Sequence, residues 1–167
     1  MEYIALSTNA SFGPKDAFAL RRAELDIRSP PLLHSQDFYE LVWVQNGTVR
    51  LHINGNRRNL TECDLMFISP NQLHGLQGRQ PKKVSEHTEP AMVVSLAIWP
   101  NVITSIGSRH EELLGIAFLG NEDSPLIAHH DIRQLAVLNH AALQLEYSPL
   151  RQLYLEAFLI PLLVALD

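Results

Sequence analysis

Two closely spaced Asn-Gly pairs, Asn46-Gly47 and Asn54-Gly55, constrain the fold of this chain more than any other feature. Asn-Gly is a strong signal for a tight turn between strands, because both residue types tolerate positive backbone φ angles. Between the two pairs, residues 49–53 alternate apolar and polar side chains, which is the pattern of a strand with one buried face. This stretch therefore predicts short β-strands connected by tight turns.

Strand-like segments of the same kind occur throughout the first part of the chain. They are short, and the segment 38–44 is rich in β-branched and aromatic residues, the usual signal of a strand. They lie at residues 18–27, 38–44, 49–53, 57–60, 64–69, 73–77 and 92–99. A polar stretch with two prolines, residues 78–91, precedes the last of them. A series of short strands at short spacing predicts a β-sandwich or barrel.

After Pro100 the pattern becomes helical, with apolar residues three and four positions apart. The helical segments cover residues 109–118, 131–147 and 148–166. Asp131 is the predicted N-cap of the second segment, and Ser148 followed by Pro149 is the predicted start of the third. Pro161 lies inside the last, strongly apolar segment and is expected to kink or break the helix, because proline cannot donate a backbone hydrogen bond.

Length and composition limit the classes of function. The 167 residues are enough for one domain with a real core. The formal net charge of -5 argues against binding of a nucleic acid backbone by this chain itself. The single cysteine excludes an internal disulfide framework and fits a reducing compartment. Because the start lacks a signal-peptide pattern and no apolar run approaches the roughly 20 residues of a membrane span, we expect a cytoplasmic protein.

Several side chains before and after the first Asn-Gly pair are candidates for one ligand site. Residues two apart share one face of a regular strand. The residues that share this face are His34, Gln36, Phe38 and Glu40. The turns can bring His74 alongside from a later strand. Imidazole, carboxylate and amide groups together suit one divalent metal such as Zn, Ni, Mn or Fe. The alternative is a polar barrel entrance whose groups satisfy each other and water.

The spacing of these residues resembles the two motifs of the cupin barrel family. The first motif, His-x-His, three or four residues, Glu, six residues, Gly, is matched in spacing by His34, Gln36, Glu40 and Gly47. The second motif, Gly, five residues, Pro-x-Gly, two residues, His, is matched in spacing from Cys63 to His74. Four positions depart from these motifs, namely Gln36 for His, Cys63 for Gly, Ser69 for Pro and Asn71 for Gly. The resemblance implies a double-stranded β-helix barrel.

A longer stretch, residues 38–76, resembles the regulatory domain of AraC-type transcription regulators, and among them the regulators of chitobiose operons. The shared features are a Tyr-Glu-Leu strand, a following glycine, an Asn-Gly hairpin, an Asp-Leu strand that ends near a proline, and a histidine. The resemblance covers about residues 18–167 and is strongest at 34–77. It implies a small-molecule effector, such as a sugar, inside the barrel, and helices that form a homodimer.

The sequence thus predicts a mainly β fold, a cupin-type double-stranded β-helix barrel (jelly roll) followed by C-terminal α-helices. We assign residues 1–104 to the barrel with its N-terminal arm, and residues 105–167 to a helical dimerisation segment. We expect the natural protein to continue into a helix-turn-helix DNA-binding domain, and DNA to be contacted only through that domain.

The leading hypothesis for function is a sensor without catalytic activity, the effector-binding and dimerising part of such a regulator. The expected ligand-binding residues are His34, Gln36, Phe38, Glu40 and His74. The alternative is a metal-dependent cupin enzyme, an isomerase or dioxygenase. The metal ligands would be His34, Gln36, Glu40 and His74. A third alternative is a dimerisation module that binds no ligand.

Overall fold

The structure is a computed structural model that describes residues 4–6, 12–13, 15–28, 30–79, 90–113, 126–129 and 131–166. Within these residues, ten strands and three longer helices are present. The strands are β1 (Ile4–Leu6), β2 (Phe18–Leu25), β3 (His34–Gln36), β4 (Tyr39–Asn46), β5 (Val49–Ile53), β6 (Asn56–Leu60), β7 (Asp64–Ile68), β8 (His74–Gly78), β9 (Ala91–Ile98) and β10 (Leu126–His129). The helices are α1 (Pro100–Arg109), α2 (Ile132–Glu146) and α3 (Gln152–Leu166).

The strands form two five-stranded sheets. The first sheet has the order β1-β3-β8-β5-β6 and the second the order β10-β7-β4-β9-β2. All strand pairs are antiparallel except β1 with β3, which are parallel. Because β4 and β5 follow each other but belong to different sheets, the chain alternates between the two layers. This confirms the predicted jelly-roll barrel with C-terminal helices.

The second sheet separates two hydrophobic cores. On β4, Val42 and Val44 point into the barrel and pack with side chains of both sheets. The alternate residues Leu41 and Trp43 point outward into a larger core that includes α1, α2 and α3. Burial on both faces explains why β4 is almost continuously apolar. β4 therefore contacts the barrel interior with one face and the packed helices with the other, as β7 and β9 also do.

The two Asn-Gly pairs play different roles. Asn54 and Gly55 both have positive φ, 46° and 79°, and join the antiparallel strands β5 and β6 as a two-residue hairpin. Gly47 also has a positive φ of 83°, but it connects β4 to β5 in the other sheet. There the turn passes close to Ala91, where a Cβ on Gly47 would be crowded at 3.1 Å.

The second predicted helix is confirmed with its cap. The Asp131 side chain accepts hydrogen bonds from the backbone N–H groups of Arg133 and Gln134, and the Gln134 side chain accepts one from the Asp131 backbone. This reciprocal pair is a capping box, which satisfies donors that the first helical turn leaves free. The box fixes the start of α2 at the residue that the sequence predicts.

The predicted start of the third helix is wrong. α3 begins at Gln152, because the Arg151 carbonyl accepts the first helical hydrogen bond, from Leu155, while the Arg151 N–H bonds back to Pro149. Pro161 does not break the helix, which continues to Leu166. The buried residues of α3 pack into the core on both sides of the proline and hold the helix in place.

The predicted division at residues 104 and 105 also differs from the structure. α1 runs across this boundary and ends at Arg109, so it is not the helix predicted at 109–118. β10 comes from the segment assigned to helices, yet it pairs with β7 at the edge of the second sheet. Residues 114–125 lie outside the described residues. Part of the predicted arm, β1, is likewise a strand of the first sheet.

An ion pair connects α1 to α3. Arg109 Nη2 donates to Glu156 Oε1 at 2.5 Å, and Gln152 Nε2 donates to the same oxygen. Burial raises the pKa of Glu156, but the hydrogen bonds from Arg109 and Gln152 and the nearby positive charge outweigh burial, so its pKa lies below the ordinary value.

Replacing Glu156 by glutamine is expected to remove a pH-dependent contribution to stability. Since the folded pKa is depressed, this contribution is present above the unfolded glutamate pKa of about 4.3 and is lost as pH falls through the folded pKa. Urea unfolding should show a destabilisation of about 0.5–1 kcal/mol near neutral pH that shrinks in acid. The exposed Glu111→Gln variant is the control. A difference from wild type that stays constant down to the folded pKa would contradict this assignment.

Candidate functional site

The candidate site lies inside the barrel, where β3, β4, β8 and β9 approach each other. His34 and His74 are paired across β3 and β8, with ring centroids 4.3 Å apart. Glu40 reaches the same place from β4, and one ligand atom from each of the three residues lies within 4.8 Å of the others. The structure thus brings together three of the residues that the sequence selects.

Glu40 is the centre of the hydrogen-bond network. Its Oε2 accepts hydrogen bonds from Gln36 Nε2 at 3.0 Å and lies 3.2 Å from His74 Nε2. Its Oε1 accepts a very short hydrogen bond from the Ser95 hydroxyl. The Glu40 side chain is only 12% exposed, and that of His74 only 2%. A carboxylate this buried requires such partners.

The two imidazoles have the same orientation relative to the backbone. His34 Nδ1 lies 3.2 Å from the Leu32 carbonyl oxygen, and His74 Nδ1 lies 2.8 Å from the Gln72 carbonyl oxygen. A carbonyl oxygen can only accept, so each Nδ1 carries the proton, and the Nε2 of a neutral ring carries the lone pair. Metal-binding histidines are oriented in this way by a carbonyl on the other nitrogen.

The pKa directions describe an ionised Glu40 carboxylate and a His34 imidazole that is harder to protonate than usual. Burial raises the pKa of Glu40, but hydrogen bonding to His74, its positive charge and the donors Ser95 and Gln36 outweigh burial, so the pKa of Glu40 lies below its ordinary value. Burial and the neighbouring His74 lower the pKa of His34, against the opposing effects of the Leu32 carbonyl and Glu40. When both imidazoles are neutral, Glu40 gives the site one negative charge, which would attract a cation or hydroxyl donors.

The donor set fits a divalent metal ion in type and arrangement. The bare Nε2 of a neutral His74 would face Glu40 Oε2 at 3.2 Å, and two acceptors this close require a proton or a metal ion between them. His34 and His74 would supply imidazole nitrogens and Glu40 an oxygen. Gln36 is buried, and in the structure its amide donates to Glu40. Its role as a metal ligand through Oε1 stays a prediction.

Phe38 is predicted to bind a ligand on the assumption that residues 34–40 form one regular strand. The structure does not have such a strand. Asp37 and Phe38 form a bend between β3 and β4, which belong to different sheets. The Phe38 ring is buried and makes an edge-on contact with Phe12, at a centroid distance of 5.3 Å. It therefore supports the bend and the residues that precede β2. Contact of Phe38 with a ligand stays a prediction.

Sequence reasoning missed Ser95 as a member of the site. On β9, alternate residues Leu96 and Ile98 belong to the helix-side core, so Ser95 points into the barrel opposite Val42. The signal was available, because Ser95 is the one hydroxyl residue in the otherwise apolar strand 91–98. A polar residue at an inward position of such a strand needs an interior partner, which here is Glu40.

Two of the four departures from the cupin motifs, Asn71 and Cys63, have local explanations. Asn71 has a φ of +67°, and asparagine is the non-glycine residue that best tolerates this conformation, so it can replace glycine. Its N–H donates to the Gln36 carbonyl at 2.7 Å, which docks the turn before β8 onto β3. Cys63 has no positive φ, so its position does not require glycine.

Comparison with known proteins relates this geometry to a family. Residues 19–88 match the family described as the AraC-like ligand binding domain, a range that contains Glu40 and both histidines of the site. This part of the chain is similar to the AraC-like ligand binding domain family. The comparison with curated proteins finds no match.

The similarity to solved structures of ToxT extends beyond residues 19–88. ToxT from Vibrio cholerae strain SCE256 with a bound unsaturated fatty acid is 16% identical, with a TM-score of 0.61 over 90% of this chain and 54% of that chain. ToxT from Vibrio cholerae O395 bound to (E)-4-(8-methylnaphthalen-1-yl)but-3-enoic acid is 15% identical, with a TM-score of 0.61 over 90% and 56%. Similarity at this identity shows the fold alone. The chain spans about half the length of the ToxT chains it matches.

Within the described residues, none of the helices combines the length and the apolar character needed to cross a bilayer. Leu155, Phe158, Leu159 and Leu163 of α3 belong to the core that β4 shares with the helices.

Proposed function

We propose that this chain is the effector-sensing and dimerising part of an AraC-type transcription regulator that acts in the cytoplasm. The observation that carries the proposal is the Glu40-centred polar set inside a barrel that is similar to the AraC-like ligand binding domain family. A buried carboxylate held by amide, imidazole and hydroxyl groups is suited to the recognition of a polar ligand. DNA would be bound by a further domain outside this chain.

The effector would contact the polar set from the side of His34. His34 is half-buried, whereas Gln36 and His74 are buried, so His34 is the most accessible of the group. The ionised Glu40 would repel a carboxylate but accept hydroxyl groups, so a sugar-like, hydroxyl-bearing molecule fits this site better than a fatty acid of the kind bound to ToxT.

A divalent metal ion would be held by His34, Glu40 and His74, with Gln36 as a fourth ligand. When bound, the ion would supply a positive centre that attracts an oxygen atom of the effector. This chain's own contribution is the orientation of both imidazoles by backbone carbonyls and of Glu40 by Ser95. Removing such orienting partners lowers metal affinity by about 10–100-fold in other proteins.

Strand β4 offers a route from the site to the helices. Glu40 points into the barrel, and Trp43 on the opposite face donates a hydrogen bond from Nε1 to Asn139 Oδ1 on α2 at 2.9 Å. Trp43 also stacks on Phe158 of α3, at a centroid distance of 6.4 Å. A ligand that shifts Glu40 would therefore change the packing of both helices. β1, paired with β3, would respond at the same time.

The helices would form the dimer interface through an apolar groove between α2 and α3. The groove has a volume of about 360 Å³. Its lining includes Val137, which is 70% exposed, with Phe158, Pro161 and Leu162 from α3. Exposed apolar surface of this kind favours association with another protein surface.

Replacing Val137 by aspartate is expected to weaken the dimer at least about tenfold, because the charge would be buried in the interface. Sedimentation equilibrium at micromolar concentration measures this change. Ala136→Asp is the matched control, since Ala136 is exposed on α2 but does not line the groove. A wild-type chain that is monomeric throughout the micromolar range would contradict the dimer proposal.

A metal-dependent enzyme, such as an isomerase or dioxygenase, is the second candidate function. The convergence of His34, Glu40 and His74 is the observation that favours it. The two functions differ in one measurable respect, because an enzyme turns over its ligand and a sensor returns it unchanged. Incubation of the metal-loaded protein with candidate sugars, followed by mass spectrometry of the small molecules, distinguishes them. Conversion that Glu40→Gln abolishes would replace the sensor proposal.

A further inference from the structure

We propose that the outer face of the first sheet carries a second ligand site, which binds a phosphate-like anion. The site is a cavity of about 220 Å³ between the chain that follows β2 and the strands β5 and β8. It is lined by Ile27, Arg28, Arg50, Gln77, Gly78 and Arg79.

The new site is separated from the barrel interior by the sheet itself. On β5, Val49, Leu51 and Ile53 are buried in the interior core. Because side chains alternate along a strand, Arg50 points to the outside. An anion bound to Arg50 would therefore not touch Glu40, and the second site does not depend on the function proposed for the first.

The three arginines of the cavity lack acidic partners. Among the described residues, no carboxylate oxygen lies within 4.0 Å of the side-chain nitrogens of Arg28, Arg50 or Arg79. The acid nearest in sequence, Asp26, accepts the backbone N–H of Arg28 with its Oδ1 at 2.9 Å. By contrast, Arg22 is paired with a glutamate. Three guanidinium groups around one cavity, none of them ion-paired within the described part of the chain, favour an anionic ligand.

The walls of the cavity are held in place by backbone contacts. Gln77 Nε2 donates to the Ile27 carbonyl oxygen at 3.5 Å, which ties β8 to the segment after β2. A Cβ at Gly78 would overlap the carbonyl oxygen of Leu25, so only glycine permits this close approach. The Arg79 N–H donates across the sheet to the residue before β5. Arg50 and Arg79 thus project from fixed backbone positions.

His52, the next outward residue on β5, lies close enough to arginine side chains of this face to be affected by their positive charge. Burial and the charges of Arg57 and Arg50 lower its pKa, against a hydrogen bond with Gln77 that raises it. Its Nε2 is buried and has no hydrogen-bond partner among the described residues. Arg50 and Arg57 therefore place positive charge on the same outer face as His52.

Phosphate fits this cavity better than a single carboxylate. The guanidinium fork matches both groups with paired hydrogen bonds, but three positive charges are better balanced by a dianion. A cavity of about 220 Å³ is several times the roughly 30 Å³ that a water molecule occupies, so it has room for a phosphoryl group. The ligand class is a small molecule that bears a phosphoryl group.

Titration of the whole chain with inorganic phosphate, followed by the backbone NMR signals of Gly78 and Arg79, tests the proposal. We expect saturable shifts, and a dissociation constant about tenfold higher in Arg50→Gln, because one charged donor is lost. Arg57→Gln is the matched control, since Arg57 lies on the same outer face but does not line the cavity. Sodium chloride at equal ionic strength should cause no saturable shift.

Arg50→Gln is not expected to affect folding, and an unchanged unfolding temperature would establish this. A second variant, Arg79→Gln, should weaken phosphate binding to a similar extent. The proposal is overturned if phosphate causes no saturable shift, if Arg57→Gln weakens binding as much as Arg50→Gln, or if acetate binds as tightly as phosphate.

Discussion

Replacing Glu40 by glutamine is expected to weaken the binding of a divalent metal ion by about 100-fold or more. Loss of an orienting group alone costs about 10–100-fold, and Glu40 would be a direct ligand that supplies the negative charge of the site. The substitution preserves size, so Ser95 and His74 keep a neighbour of the same shape.

Titration with Co²⁺ measures this effect, because the visible absorption of the ion reports its ligands. The wild-type chain should bind one equivalent with a spectrum typical of imidazole and carboxylate ligands. Glu24→Gln, at an exposed position on β2, is the control and should bind as wild type does. Equal binding by wild type and Glu40→Gln would show that the site described here does not hold the ion.

Replacing Trp43 by alanine is expected to lower the free energy of unfolding by about 3–5 kcal/mol. Trp43 is completely buried, stacks on Phe158, and is the hydrogen-bond donor to Asn139. The variant would leave a cavity between the barrel and both helices, and an amide oxygen on α2 without its partner.

Trp43→Phe separates the two contributions, since it retains most of the ring contact and removes only the hydrogen bond. Urea unfolding should show a loss of about 1–2 kcal/mol for this variant. If Trp43→Ala were destabilised by less than about 1 kcal/mol, the helices would not be packed on β4 as the structure shows, and the proposed route from Glu40 would fail.

Several strands of the barrel could be predicted because they carry their own local signals. Asn54-Gly55 indicates a hairpin through local backbone preference, and the alternation of residues 49–53 indicates which side chains are inside. β10 could not be predicted, because its partner β7 lies about 60 residues earlier and nothing in Leu126–His129 specifies that pairing. The predicted start of α3 is wrong although Ser148-Pro149 has the composition of a helix start. The first helical hydrogen bond is accepted three residues further along the chain, by the Arg151 carbonyl.

The candidate site could be predicted as a set, but its internal organisation could not. Motif spacing selected His34, Glu40 and His74, and the pairing of β3 with β8 brings the two histidines together. The selection of Phe38 assumed a regular strand, whereas a bend transfers the chain from one sheet to the other. Ser95 was missed because its inward orientation follows from the register of β9 against β4, which depends on tertiary structure.

Hydrogen–deuterium exchange of the whole chain, with and without one equivalent of Zn²⁺, tests most directly whether the barrel interior is a ligand site connected to the helices. We predict slower exchange at β3 and β8, together with a change in α2 that is transmitted through Trp43, and neither effect in Glu40→Gln. Unchanged exchange in β3, β8 and α2, or the same changes in Glu40→Gln, would contradict the proposal that the barrel interior is a ligand site connected to the helices.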